Sequence, residues 1–299
     1  MPKYKNKDGR FTLVIDNIKS HIENDYIRFS WKPLRLLNNK FKTKTRGRLI
    51  QVRFIPRGSD YIMEVVYEVE VPEMKEKEVN NIIGIDLGVS NFATMGNNIG
   101  IKPIIINGKI AKSINQYYNK KKARLSSELK LKHDKRWSNH LQRLTTKRNN
   151  KMDDFIHKSS RYIINYCLQN NINIVIIGRN EEWKQKSNIG RQNNQNFTSI
   201  PHDLFIQKLQ YKCEDCGIKF IITEENYTSK ASFLDKDNMT KDTIFKGKRI
   251  KRGLYRSKDK TLINADLNAA YNIIRKVVPE FNYDGIEGVG LHPVRINTI

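Results

Sequence analysis

The first 75 residues alternate apolar and polar positions. FTLVID (11–16), YIRFSW (26–31), LIQVRFIP (49–56) and YIMEVVYEVEV (61–71) are rich in β-branched and aromatic residues, with turn signals such as KDG and RGSD between them. They predict short strands, and the polar VPEMKEKEVNN that follows reads as a linker. From residue 82 the pattern changes. IIGIDLG is a short apolar run, as expected of a buried strand, and IGIKPIIING adds a hairpin-like pair. Residues 112–170 contain neither proline nor glycine and predict helix. IVIIG (174–178), a helix over 202–216 and IKFIIT (218–223) read as strand, helix, strand, and a helix over 266–277 comes last. Strands alternating with helices argue for a partly parallel sheet in an α/β domain. Residues 235–260 are polar and lysine-rich and predict a loop.

Charge changes this picture. The 299 residues carry a formal net charge of +24, with a pI near 9.8. Such an excess repels itself unless an anionic partner neutralises it, and nucleic acid is the commonest such partner. An anionic membrane is the weaker reading, because no apolar stretch is long enough for a spanning helix. MPKYKNKDGRFTLV lacks the apolar segment of a signal peptide. Three cysteines, an odd number in a chain with no export signal, fit a reducing cytoplasm.

The cations concentrate in the helical segment: Lys120, Lys121, Lys122, Arg124, Arg136, Arg143, Lys147 and Arg148 stand where acids are few. An ordinary solvated helix interleaves both signs, so these are candidate phosphate contacts. Lys184, Lys230, Arg249 and Arg252 are added as candidates outside the helices. Tyr117, Tyr118, Trp137 and His140, interspersed with the cations, could stack on bases; a core stripe with Leu125, Leu129, Leu141 and Leu144 is the favoured reading. Cys213 and Cys216 form one CxxC pair, half of a tetrahedral zinc set, and no second pair exists. A packed helix end with Gly217 as its stop is the better reading, and no zinc is expected.

Carboxylates supply the candidate chemistry. Asp86 follows an apolar strand, with Gly88 to turn the chain behind it; a strand's C-terminal end is where α/β proteins place ligands. Asp266 shares a helix face with Ala269, Ala270 and Ile273, which is costly unless something positive satisfies it. Its place near the helix start also suits the macrodipole. A nuclease of this design would want a third acid where IVIIG ends, and Gly178 stands there. Glu224 and Glu225 leave the next apolar strand. If that strand lies parallel beside IVIIG, they begin about 5 Å from Gly178. Both adjoin the strand end and face opposite ways, so both stay candidates, while Glu181 and Glu182 lie farther along a loop. Asp86, Asp266 and a glutamate in one place raise one another's pKa. Two Mg²⁺ or Mn²⁺ ions remove that conflict, oxygen-only ligands suit such ions, and a pair can drive phosphodiester cleavage.

GIDLGVSNFAT, NQYYNKKKARL, KRNNKMDDFIHKSSRYI, IVIIGRNEEWKQ, EENYTSKASFLD and INADLNAAYNIIRKV together resemble the TnpB family. Its members are transposon-encoded RNA-guided DNA endonucleases, often called transposases, related to type V CRISPR effectors. The resemblance implies a ribonuclease H-like (RuvC) mixed sheet over 76–299, with a basic helical hairpin insertion at 112–170, preceded by a partial wedge-like β-barrel over 1–75. It implies that Asp86 and Asp266 are the first and third RuvC acids, that the ions are Mg²⁺ or Mn²⁺, and that the partners are a guide RNA from the transposon end and target DNA. Family members usually carry glutamate at the position of Gly178. A branch with glycine there has glutamates just before YTSK, which implies a relocated glutamate. The zinc ribbon of many members is absent from SKASFLDKDNMTKDTIFKGKR, and MPKYKNKDGRF resembles a point inside the barrel, as in a chain shortened at its N-terminus. The alternative is a nuclease-inactive RNA/DNA-binding regulator or a transposon remnant. A DNA-joining transposase is weaker, since the family's nuclease is an accessory to movement.

Overall fold

A computed structural model describes residues 9–45, 47–58, 60–70, 80–179, 199–281 and 288–298. The chain divides into two compact units: residues 1–71 with 129–146, and 72–128 with 147–299.

In the first unit, β1 (Leu13–Asp16), β4 (Arg48–Arg57) and β5 (Asp60–Glu68) form an antiparallel sheet in the order β1-β4-β5. A separate hairpin pairs β2 (Ser20–Glu23) with β3 (Tyr26–Phe29). Ile15, Ile27, Phe29, Leu49 and Val52 form their small core. The alternation in the sequence finds β1, β3, β4 and β5; β2 has too few apolar residues to signal itself.

In the second unit, β6 (Ile82–Leu87), β7 (Asn91–Asn97), β8 (Ile104–Asn107), β9 (Ile174–Gly178), β10 (Lys219–Thr223) and β14 (Val294–Ile296) make one mixed sheet, ordered β10-β9-β6-β7-β8-β14. β6, β7 and β8 pair antiparallel, whereas β9 and β10 run parallel to β6. On one face Ile83, Ile85, Val175 and Ile177 pack with Phe155, Ile163, Phe205 and Leu209. These partners come from α2 (Asn139–Gln169) and α3 (His202–Asp215). On the other face Ile82 and Ile176 pack with Leu267, Tyr271, Ile273 and Ile274 of α4 (Ala265–Val277). A sheet covered on both sides explains why IIGID and IVIIG read as continuous apolar runs rather than alternating ones.

The helical stretch is two helices, α1 (Lys109–His133) and α2, separated at Asp134, whose φ is 44°. One predicted segment is corrected. The stretch 235–260 is not all loop: β11 (Lys248–Lys251) and β12 (Leu254–Arg256) join β13 (Leu262–Asn264) in a three-stranded antiparallel sheet. Exposed lysines and arginines hid β11, and β12 is only three residues long. Gly253, at φ 79°, makes the turn between β11 and β12, a conformation open to glycine at little cost. Gly217 (φ 66°) follows α3 as a stop, and Cys213 packs in the core, with burial pushing its thiol up.

Candidate active site

Backbone parity sets which side chains meet. Gly84 lies opposite Ile176, which lies opposite Ile221, and Ile176 and Ile221 pack on the α4 side. Side chains alternate along strands, so Asp86, Gly178, Thr223 and then Glu225 face α4, and Glu224 faces away. Thr223 is directly beside Gly178 in a parallel pair, as the sequence anticipates for this strand.

Gly178 and Glu225 fit together. A Cβ built on Gly178 would lie 2.5 Å from Glu225 Cγ, 2.6 Å from its Oε1 and 2.7 Å from Ile273 Cδ1. The glutamate therefore fills the volume that any side chain at 178 would need. Burial pushes the Glu225 carboxyl up to about 7, against a lowering influence from Lys276. Glu224 is exposed and accepts a 3.0 Å hydrogen bond from Asn226 Nδ2.

α4 reaches the strand ends because glycines clear its path. A Cβ on Gly84 would meet Ala270 O at 2.4 Å, and one on Gly96, its cross-strand partner, would meet the Tyr271 ring at 2.8 Å. Asn264 caps the helix, accepting from the backbone N–H of Asp266 at 3.0 Å and of Leu267 at 3.1 Å, a contact worth about 1 kcal/mol. Asp266 thus sits in the first turn and also faces the sheet; both readings of its position hold. Its Oδ2 accepts from Asn91 Nδ2 at 2.6 Å, and its Oδ1 faces Arg249 Nη2 of β11 at 3.3 Å.

Asp86, Glu225 and Asp266 share one electrostatic environment. The Asp86 carboxyl is raised well above its usual range, first by burial, then by Glu225 and Asp266, with Arg249 opposing. Among the described residues, no three His, Cys, Asp or Glu side chains are arranged to hold a metal ion. Asp266 is held instead by Asn91 and Arg249.

Two buried asparagines anchor the loop behind Glu225. Asn272 Nδ2 donates to Thr228 O at 2.9 Å and Ala231 O at 2.8 Å. Asn268 accepts from Phe233 N–H at 2.9 Å and donates to Ala231 O at 2.8 Å. Thr228 in turn donates through N and Oγ1 to Glu225 O, at 3.1 and 2.8 Å. Asn91, Asn268 and Asn272 went unmarked in the sequence; their signal was amides spaced within the motifs of Asp86 and Asp266.

The predicted cations scatter. Lys120, Lys121, Lys122 and Arg124 on α1 and Arg143 and Lys147 on α2 are exposed, as are Arg136 and Lys230. Lys121 and Lys122 lie over the rings of Tyr117 and Tyr118, at 5.9 and 5.8 Å, and Arg124 pairs with Glu128. The aromatic stripe is not core: Tyr117 is 62% and Trp137 58% exposed. Arg148 departs from a free phosphate contact, since it donates to Asn115 Oδ1 at 2.8 Å and Ser199 O at 2.6 Å. Arg249 and Arg252 lie at the candidate site, Arg252 donating to Ser90 Oγ at 2.9 Å. Lys184, Glu181 and Glu182 fall outside the described residues.

Comparison with known proteins places these features in a class. A family model described as "Probable transposase" (OrfB of the IS605 type) matches residues 64–184, and the Cas12f1-like TNB domain model matches 202–273. The chain is an α/β protein whose fold is shared with a cryo-EM structure of a Cas12f1–sgRNA–target DNA complex, at a TM-score of 0.54 and 16% identity. That likeness covers 88% of this chain and 58% of that one, so this chain spans somewhat more than half of the solved protein. It is also 27% identical, over 94% of its own length and 72% of the relative's, to the CRISPR-associated endodeoxyribonuclease Cas12f1 of Sulfoacidibacillus thermotolerans. These matches make the chain similar to TnpB/Cas12f-like proteins over most of its length.

Proposed function

We propose that the chain is an RNA-guided, metal-dependent DNA endonuclease, with a ribonuclease H-like (RuvC) sheet and Asp86, Glu225 and Asp266 as its carboxylates. The fit of Glu225 into the space over Gly178 carries this reading, because it returns an acid to the strand end where a glycine interrupts the set. The donor chemistry suits a hard cation: all are oxygens, and positive charge opposes the burial and the neighbouring acids that raise Asp86. A pair of Mg²⁺ or Mn²⁺ ions there supplies Lewis acidity at a phosphodiester and neutralises charge as it develops. Arg249 and Lys276 hold positive charge beside the acids, and Arg249 is placed to exchange Asp266 for a phosphate oxygen.

The exposed cations of α1 and α2 bind phosphates, and tyrosines beneath Lys121 and Lys122 stiffen them. Sequence selection then falls to pairing between the guide RNA, derived from a transposon end, and its DNA target. That the solved relative is a complex with guide RNA and target DNA supports both partners. The Arg249–Asp266 pair favours a second reading, a nuclease-inactive binder, because it neutralises one acid without metal.

Asp86→Ala in the complex with co-purified RNA decides between them. Mg²⁺-dependent cutting of a DNA target library by the wild-type chain, lost in the variant with binding nearly intact, is the expected outcome. Equal cutting by both removes the site. Binding without cutting by the wild-type chain leaves the binder.

A further inference from the structure

Asn91 stands between two charged groups of opposite sign. Its Nδ2 donates to Asp266 Oδ2 at 2.6 Å, and its Oδ1 accepts from Arg295 Nη2, also at 2.6 Å. A guanidinium only donates and a carboxylate only accepts, so these neighbours fix the amide in one orientation. Arg295 lies on β14, the last strand of the sheet, and reaches Asn91 from there. Its backbone is set by the parallel pairing of Arg295 with Ile105 of β8, and Asn107 Nδ2 clasps Asn297 Oδ1 at 2.9 Å just beyond. Asn91 itself faces Asn107 at a register shift in the β7–β8 pair. No role in the carboxylate site is otherwise apparent for an exposed arginine 29 residues beyond Asp266.

We propose that Arg295 is a positioning residue: it orients the Asn91 amide, whose N–H holds the Asp266 carboxylate at the strand end that carries Asp86. Both bonds involve a charged partner, and such bonds are short and roughly twice as strong as neutral ones. The chain of contacts works as an outer shell for Asp266 toward a divalent cation, and in this it rests on the proposed carboxylate site. Groups in that role typically change metal affinity by about 10–100-fold when lost.

The test has two arms on the full chain. In the first, Mn²⁺ alone is titrated and free Mn²⁺ is read by electron paramagnetic resonance. Asn91→Ala should weaken binding about 10-fold or more. Arg295→Ala should act in the same direction, add nothing in the Asn91→Ala background, and be largely rescued by Arg295→Lys. In the second, thermal unfolding is followed in EDTA. The Tm losses of Arg295→Ala and Asp266→Ala should be sub-additive with Asn91 present and additive in Asn91→Ala. Additive losses with Asn91 in place overturn the relay, whatever the first arm shows. Sub-additive losses with no Mn²⁺ binding by the wild-type chain keep the relay and remove the carboxylate reading. Mn²⁺ binding that Arg295→Ala leaves unchanged overturns the positioning role.

Discussion

One missing methyl group decides how this site is built. A side chain at 178 and the Glu225 carboxylate compete for the same space, so the glycine is what a glutamate arriving from the neighbouring strand requires. Gly178→Ala should therefore displace Glu225 and weaken Mn²⁺ binding by about 10-fold or more in titration, a larger effect than its cost in stability. Gly178→Glu with Glu225→Gly should regain most of the affinity, because the acid then comes from the strand end itself. Failure of the pair together with a harmless Gly178→Ala would contradict the exchange. The pKa of Glu225 has its own consequence. Its folded value of about 7 exceeds the ordinary 4.5, so between these values the folded chain holds more protons than the unfolded one. Metal-free stability should thus be full below about pH 4.5 and fall as pH rises through 7, with a Tm drop of about 2–4 °C per ~1 kcal/mol. Glu225→Gln should remove that part of the profile, and saturating Mn²⁺ should offset it in the wild-type chain. Identical pH profiles for wild type and Glu225→Gln in EDTA would refute this. Asp86, Asp266 and the adjacent glutamates were legible from the sequence as acids at strand and helix ends. The choice of Glu225 was not, because it depends on the shared face of three strands.

α4 serves at the scale of elements as both lid and ruler. Gly84 and Gly96 let it press on the sheet, which carries Asp266 to the strand ends, and Asn268 and Asn272 pin the loop that carries Glu225. Asn272→Leu keeps the bulk but leaves the buried Thr228 carbonyl without its side-chain donor, while Ala231 O keeps the bond from Asn268. A destabilisation of about 1–3 kcal/mol in urea unfolding is expected, with weaker Mn²⁺ binding although no proposed ligand is touched. Unchanged affinity would show that the loop holds Glu225 without this anchor. Helices and long apolar strands were legible here because their patterns are local. β11 was not, since its positions are mostly basic and exposed, and neither were β12 and β14, each three residues long, with β14 paired to a remote strand. The reading of Tyr117 and Trp137 as core failed for another physical reason: a ring can support a lysine at the surface as readily as it fills an interior.

For the whole molecule, the proposed function divides the labour: +24 of charge would hold nucleic acid and the acidic centre would cut it. Among the described residues no helix is long and apolar enough to cross a membrane. The basic excess points to nucleic acid from composition alone, whereas the proposed carboxylate set needed the sheet order β10-β9-β6 to become one place. The most direct measurement compares Glu224→Ala with Glu225→Ala in Mg²⁺-dependent cleavage of a target library by the RNA-bound chain. Loss of cutting in Glu225→Ala, with Glu224→Ala close to wild type, is the predicted result. Cutting that survives Glu225→Ala, or that is lost only in Glu224→Ala, would contradict the account.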